Sequence, residues 1–508
     1  MPTRIQIAEV AAWDRGAPAI HGPGIYGASP NKPFSYAVPA TGERPLQFSA
    51  EGLPAGLRID PATGFISGSV RRPADSQVLL RAENRHGVSE REFTIAIGRG
   101  LALTPPMGWN SWNAWRRWVD DAKVRAAARA LVDMGLAARG YVYVNIDSCW
   151  QGQRGGPHNA IQPNCKFPDM SLLAADLHRL GLRFGIYSTP WTAPHGCTAD
   201  EAMADWGGPA LMGCSSGDPD PEYTINRLDA GKYVGLTKHE AEDVAQWAAW
   251  GVDFLKYDWS PTDAKSIARM GEELKRAHRD IVFSLCTAAR IRDAETIKAY
   301  ANMWRGIPDT DDTWLSVKKN AFLLEDSQDE DWRPHVGPGA WNDLDMLALG
   351  PQWAGPDGTR SNRLSENEQI TCMTAWALYS SPLILSCDLS ALSEFELRLF
   401  GNEEVIAVNQ DPLGRPAVRL RETRSQPIDA RLPCDTRIWA RPLSGERMAA
   451  GLFNLGEEEQ AISVDLTELG LSGAASVRNL WERRDMGKAR GSLSVQVPAH
   501  GAQMILFS

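Results

Sequence analysis

The spacing of apolar positions changes twice along the chain. Over the first hundred residues it is two. Phe34-Ser35-Tyr36-Ala37-Val38, Leu46-Gln47-Phe48-Ser49-Ala50, Val78-Leu79-Leu80-Arg81-Ala82 and Phe93-Thr94-Ile95-Ala96-Ile97 are short and apolar-rich. Turns such as Gly52-Leu53-Pro54-Ala55-Gly56 and Asp60-Pro61-Ala62-Thr63-Gly64 separate them. Short strands with frequent turn signals predict a β-sandwich over 1–100. From 101 to 412, apolar runs alternate with helical periods. Strands are expected at 107–112, 141–147, 183–188, 254–258, 281–286, 303–306, 341–345 and 382–387. One helical face carries Val124, Ala127, Ala128, Leu131 and Met134. Another helix is expected to open with a capping box at Thr237-Lys238-His239-Glu240 and to carry Val244, Trp247 and Ala248 on one face. Eight strands alternating with helices predict an α/β fold, a (β/α)8 TIM barrel. An open doubly wound sheet fits less well, because no Gly-rich phosphate turn follows an early strand. Beyond 412 the strand pattern returns at 437–441, 448–454 and 504–508, which predicts a C-terminal antiparallel β-sandwich over 413–508.

In a barrel of this kind the site forms at the C-terminal ends of the strands. Here those ends carry Trp112, Asp147, Tyr187, Asp258, Cys286, Arg305 and Asp345, with Asp309 just past the sixth. Taken singly, each acid has a plainer reading. Asp258 could cap a helix, and Asp309 could cap one starting at Thr310-Asp311-Asp312-Thr313-Trp314. No Ser, Cys or Lys nucleophile stands beside an evident base. No HExxH or multi-Asp metal loop and no dinucleotide fingerprint appears, so neither metal nor cofactor is expected. Carboxylates, Lys256, Arg305 and aromatic side chains remain. Glycoside hydrolysis uses that set: one carboxylate attacks or guides water, another protonates the leaving oxygen, and flat rings hold the sugar.

Composition narrows the partners. A net charge of −10 argues against nucleic acid and anionic membranes. Nineteen tryptophans supply core filling and flat faces for sugar stacking. No run is long enough to span a membrane and no leader is evident, so the chain as written reads as cytoplasmic, or as periplasmic or secreted after removal of a leader. The eight cysteines read as free thiols, with Cys197–Cys214 the one candidate pair. Oligomeric state has no signature.

The motifs carry a resemblance. Leu103-Thr104-Pro105-Pro106-Met107-Gly108-Trp109-Asn110-Ser111-Trp112, Asn145-Ile146-Asp147-Ser148-Cys149-Trp150, Gly185-Ile186-Tyr187, Lys256-Tyr257-Asp258-Trp259 and Trp304-Arg305-Gly306-Ile307-Pro308-Asp309 resemble, in order, the barrel of glycoside hydrolase family 27, the α-galactosidase family. So do Gly337-Pro338-Gly339-Ala340-Trp341-Asn342-Asp343-Leu344-Asp345-Met346-Leu347 and Asn409-Gln410-Asp411-Pro412-Leu413-Gly414. The segment 52–68 is similar to immunoglobulin-like modules preceding bacterial glycosidases. The resemblance implies a retaining double displacement with Asp258 as nucleophile and Asp309 as acid/base. Lys256, on the same strand face as Asp258, would hold sugar hydroxyls and keep Asp258 ionised. Arg305 would bind near the 2-hydroxyl and Asp147 the far edge of the sugar. Trp112 and Tyr187 would wall the pocket, Trp191 would offer an outer subsite, and Trp259 would pack the barrel or form its rim. Asp343 and Asp345 would brace loops.

Three departures bear on the substrate. Ser148 stands where α-galactosidases carry a second Asp against the O4/O6 edge, a loss of about 1–3 kcal/mol of charge-assisted hydrogen bonding. Cys286-Thr287 stands where animal enzymes place Cys-Glu. Leu344 replaces a Pro. The expected activity is therefore exo-hydrolysis of terminal α-D-galactosides. The alternatives are the same chemistry on a β-L-arabinopyranoside, an α-N-acetylgalactosaminide or isomaltosyl units of dextran. A carbohydrate-binding barrel without turnover is the non-enzymatic reading.

Overall fold

The computed structural model describes residues 4–190, 215–219, 235–260, 262–286, 289–323, 331–355, 358–423 and 435–508. Its centre is an eight-stranded parallel sheet. In chain order the strands are β1 (Met107–Asn110), β2 (Tyr143–Asn145), β3 (Arg183–Ser188), β4 (Phe254–Asp258), β5 (Val282–Cys286), β6 (Met303–Trp304), β7 (Trp341–Asn342) and β8 (Leu383–Leu385). Each strand pairs with the next as far as β7, and β8 returns beside β1. The circle closes beyond the end of β7 through a single parallel bridge, Leu347 to Leu385. There the Leu347 amide donates to Ile384 O at 2.8 Å, and the Ser386 amide to Leu347 O at 3.0 Å.

Helices follow the strands as the 3.6-residue pattern requires. Asp121–Asp133 buries Val124, Ala127, Ala128 and Leu131, and the Asp120 carboxylate caps it at the Lys123 amide. Glu240–Trp250 buries Val244, Trp247 and Ala248. Its expected capping box is not formed. The helix starts at Glu240 with His239 at the N-cap and no side-chain cap bond. Thr237 lies in the strand Gly235–Lys238, too early to cap. The observed strands are also shorter at the mouth than the apolar runs suggest. The reason is local: Asn110 Oδ1 accepts the Trp112 amide at 2.8 Å and Ser111 Oγ accepts the Asp147 amide at 3.0 Å. Side chains thus take over backbone groups that a longer ladder would use.

The N-terminal module packs a four-stranded and a three-stranded sheet around Phe34, Tyr36, Phe48, Ile66, Leu80, Phe93 and Ile95. The C-terminal domain is one eight-stranded antiparallel sheet over its own core, including Ile438, Leu452, Val464, Val477 and Phe507. It meets the barrel on the buried helix Glu366–Tyr379. Arg441 reaches the last turn of that helix, donating to Ala377 O at 2.5 Å, and Trp481 Nε1 donates to Thr374 Oγ1 at 3.0 Å. No helix of the described residues is long and apolar enough to cross a membrane.

The N-terminal module sits at the barrel floor, on the N-terminal ends of the strands. Arg183, at the start of β3, bonds Tyr26 Oη and Ser35 O of the module. The Ser29 amide donates to Asp280 Oδ2 at 2.8 Å. Beneath them lies Asp253, 2 % exposed, facing His178 (2.7 Å), Arg279 (2.5 Å) and Arg183 (3.4 Å) and accepting from the Phe184 amide at 2.9 Å. Burial alone would raise its carboxyl. The hydrogen bond from His178 and the two guanidinium charges outweigh burial and hold it down at about 2.

Asp253→Ala leaves those cations buried and unmatched, and is expected to cost about 3–5 kcal/mol in denaturant unfolding. The folded carboxyl titrates below the unfolded value near 4. Its contribution is therefore complete above about pH 4 and lost as pH falls toward 2. The gap between wild type and variant should narrow over that window, and a gap independent of pH there would contradict the assignment.

Candidate active site

The mouth of the barrel collects most of the expected residues. In the ladders Tyr187 pairs with Lys256 and Lys256 with Ser284, while Asp258 pairs with Cys286 one level nearer the rim. Lys256 and Asp258 are two residues apart, so they share a face of β4. Lys256 Nζ lies 2.7 Å from Asp147 Oδ2 and 5.8 Å from the Tyr187 ring centroid. Asn110 Nδ2 donates to the same carboxylate oxygen at 2.9 Å, and the Ser148 amide to Oδ1 at 2.8 Å. Asp147 and Ser148 are both buried. Burial would lower the Lys256 ammonium; Asp147, with Cys286 and Asp258, reverses this and holds it above the usual lysine range.

Across the pocket Arg305, also buried, divides its guanidinium between two acids. NH2 lies 2.6 Å from Asp309 Oδ1 and NH1 2.5 Å from Asp345 Oδ1. Asp309 itself is 75 % exposed at its side chain. Asp345 adopts φ +76 and is fixed at every other atom that can bond. Its second oxygen accepts the Thr310 amide at 2.7 Å, its amide donates to Asp343 Oδ1 at 2.9 Å, and its carbonyl accepts Trp376 Nε1 at 2.7 Å. The Cys286 thiol is pushed up by burial.

Neither helix-cap reading survives. The helix after β4 is capped by Asp263, not Asp258, and the helix after β6 by Thr313, not Asp309. Trp112 is half-buried beside Asn110. Trp259 is fully buried, stacks edge-on against Tyr257 and donates to Asp263 Oδ2 at 3.2 Å. Trp191, Thr287 and the pair Cys197–Cys214 lie outside the described residues. Cys149 is in a disulfide, so the free-thiol expectation fails there, while Cys165, Cys286, Cys372 and Cys387 are free. Asn110 and Ser111, which orient Asp147, were not singled out as site residues; their signal is the polar pair inside Trp109-Asn110-Ser111-Trp112. Among the described residues no cluster of His, Cys, Asp or Glu is arranged to hold a metal ion.

A parallel barrel with carboxylates and their cations gathered at the C-terminal ends of its strands, backed by a β-rich C-terminal domain, is the frame of a barrel glycoside hydrolase. The sequence model described as "Alpha galactosidase A" matches residues 104–199 and 225–411. "Alpha galactosidase C-terminal beta sandwich domain" matches 434–507, and "Putative Ig domain" matches 17–98. The chain belongs to the α-galactosidase family, glycoside hydrolase family 27. An α-galactosidase of Oryza sativa is 32% identical over 83% of this chain and 88% of its own length. A Bacteroides fragilis structure described as a "putative alpha-galactosidase/melibiase" superposes with a TM-score of 0.80 at 28% identity, over 98% of this chain and 99% of its own. A β-L-arabinopyranosidase of Geobacillus stearothermophilus gives 0.66 at 27% identity, over 80% and 97%.

Asp343 is the strongly perturbed acid of the site. Burial, and then the charge of Asp345, push its carboxyl up to about 7. A carboxyl raised on folding favours the folded state below the unfolded value near 4, and that advantage is lost as pH rises toward 7. Asp343→Asn keeps the Oδ1 acceptor for Asp345 and removes the titration. The variant should therefore gain stability relative to wild type between pH 4 and 7 and run parallel above it. Thermal melts across pH 4–8 measure this, and melts parallel throughout would refute it.

Proposed function

We propose that the chain is a retaining exo-glycosidase acting on terminal α-D-galactosides. Asp258 attacks the anomeric carbon and Asp309 protonates the glycosidic oxygen, so the leaving group departs as a neutral alcohol. Asp309 then takes a proton from water, which attacks the glycosyl-Asp258 ester and frees the nucleophile. The observation that carries the reading is the pairing of Lys256 with Asp147 and of Arg305 with Asp309, both cations within range of the Asp258 charge, in a chain of this family. A retaining pair needs its carboxyl groups about 5–5.5 Å apart.

The polar contacts suit the two steps. Lys256 stands two residues before Asp258 on the same strand face, where its ammonium can meet sugar hydroxyls. Asp147, fixed by Lys256, Asn110 and the Ser148 amide, offers an oriented acceptor to the sugar edge. Asp309 is exposed in the free protein, so an arriving glycoside covers it. Loss of water then favours the protonated form that general-acid catalysis requires.

Ser148 supports a second reading for the sugar. A hydroxyl in place of a carboxylate weakens the grip on O6. A β-L-arabinopyranoside is the galactoside lacking that hydroxymethyl arm, and a relative of that activity shares the barrel. A panel of 4-nitrophenyl glycosides separates the two.

Asp258→Asn is expected to remove at least about 10³-fold of turnover on the best substrate. Asp309→Asn should cost about 10²–10⁴-fold, more with a poor leaving group than with nitrophenol. NMR of the first-formed sugar should show the anomer of the substrate. Inverted product, or an active Asp258→Asn enzyme, would sink the proposal.

A further inference from the structure

Arg116 is a charge within range of the site carboxylates whose guanidinium, among the described residues, meets only an aromatic ring. It follows the short helix Trp112–Trp115 and is half-buried. Its guanidinium carbon lies 5.2 Å from the centroid of the Trp112 ring. The Trp112 amide donates to Asn110, whose Nδ2 donates to Asp147, and the Asp147 charge acts on Arg116. Among the described residues no hydrogen bond or ion pair reaches the Arg116 guanidinium; its amide donates to Trp112 O. Its backbone has φ +49 and ψ −136, a conformation that non-glycine residues rarely adopt.

The neighbouring acids do not use it. Asp147, Asp309, Asp345 and Asp312 all lie within range of its charge, Asp147 most strongly. Each already has a cation. Lys256 holds Asp147, Arg305 holds Asp309 and Asp345, and Asp312 is gripped by Arg360 at 2.5 Å and Arg363 at 2.7 Å. Beside Asp147 the chain supplies Ser148, which is neutral. Near the site the chain therefore presents a planar five-donor cation on an aromatic face, among acids that are already matched by other cations. Guanidinium groups so placed bind carboxylate and sulfate oxygens in pairs.

We infer that Arg116 is a specificity residue that recognises an anionic group, a carboxylate or sulfate, carried by the glycoside bound in this pocket. This rests on the pocket being the glycoside site but not on the assignment of Asp258 and Asp309.

Binding without turnover separates the two ideas. Calorimetry on the full chain would compare matched neutral and uronic sugars, galactose against galacturonate and glucose against glucuronate. A second arm would compare a neutral glycoside of 4-nitrophenol with the same glycoside of a carboxylated nitrophenol, to tell an anion on the ring from one on the leaving group. In at least one arm the anionic member should bind about tenfold tighter. That ratio should fall toward one in Arg116→Ala, fall only part-way in Arg116→Lys, and shrink as salt rises. No anionic preference by wild type in either arm would overturn the inference. So would a preference that Arg116→Ala leaves unchanged. Loss of turnover in Asp258→Asn with the ratio intact would leave this inference standing and test only the mechanism.

Discussion

Charge taken out of water has to be matched inside the protein, and that constraint shapes both ends of the barrel. An unpaired buried ion costs several kcal/mol, and a carboxylate or ammonium in this core survives as an ion only with a partner at hydrogen-bond distance. At the floor, Asp253 is surrounded by His178, Arg183 and Arg279. At the mouth, Lys256 answers Asp147, and Arg305 answers Asp345 and Asp309. The apolar strands between these layers could be exchanged for others of similar volume. A buried pairing cannot lose one member so cheaply, because the other is left as an uncompensated buried charge. Asp343 shows the alternative outcome. It lies beside Asp345, no ion pair to it is seen among the described residues, and burial and the Asp345 charge push its carboxyl up to about 7.

The two layers differ in purpose. The floor pairs are closed: every oxygen of Asp253 is used, and Arg183 continues into the N-terminal module through Tyr26 and Ser35. The module is in this way part of the barrel's foundation, on the face opposite the pocket. The mouth pairs are open on one side. Asp309 is anchored through one oxygen while most of its side chain meets solvent, which is the condition for a group that has to exchange protons with a ligand.

Much of this was legible in the residue pattern because the periods are pure. β3 and β4 were bounded to the residue, since Arg183–Ser188 and Phe254–Asp258 are apolar runs with abrupt polar ends. β1 and β2 end earlier than their apolar runs because Asn110 and Ser111 spend their side chains on neighbouring amides, and β7 ends early where the Asp345 amide turns to Asp343 Oδ1; β6 and β8 are also shorter than expected. The box at Thr237–Glu240 misled because the local rule was satisfied in sequence while a hairpin, Gly235–Lys238 against Ser215–Pro219, claimed the backbone first. Asp258, Asp309, Lys256 and Arg305 were legible as candidates from strand ends and from family motifs. Arg116 was not, because its place over the Trp112 ring and near the site acids is a tertiary relation that no spacing in the sequence records.

The seam of the barrel carries one more consequence. Seven neighbouring pairs of strands share ladders, but β7 and β8 meet only through the bridge at Leu347 and Leu385. A sheet held by two hydrogen bonds at one point opens there before it opens elsewhere. Side chains close the seam where the ladder does not: the Leu344 amide donates to Ser381 Oγ at 2.9 Å, and Asp345 is tied at its amide, its carbonyl and both carboxylate oxygens. The carboxylate that steadies Arg305 is therefore also a clasp of the barrel, and the site and the closure of the fold share one residue.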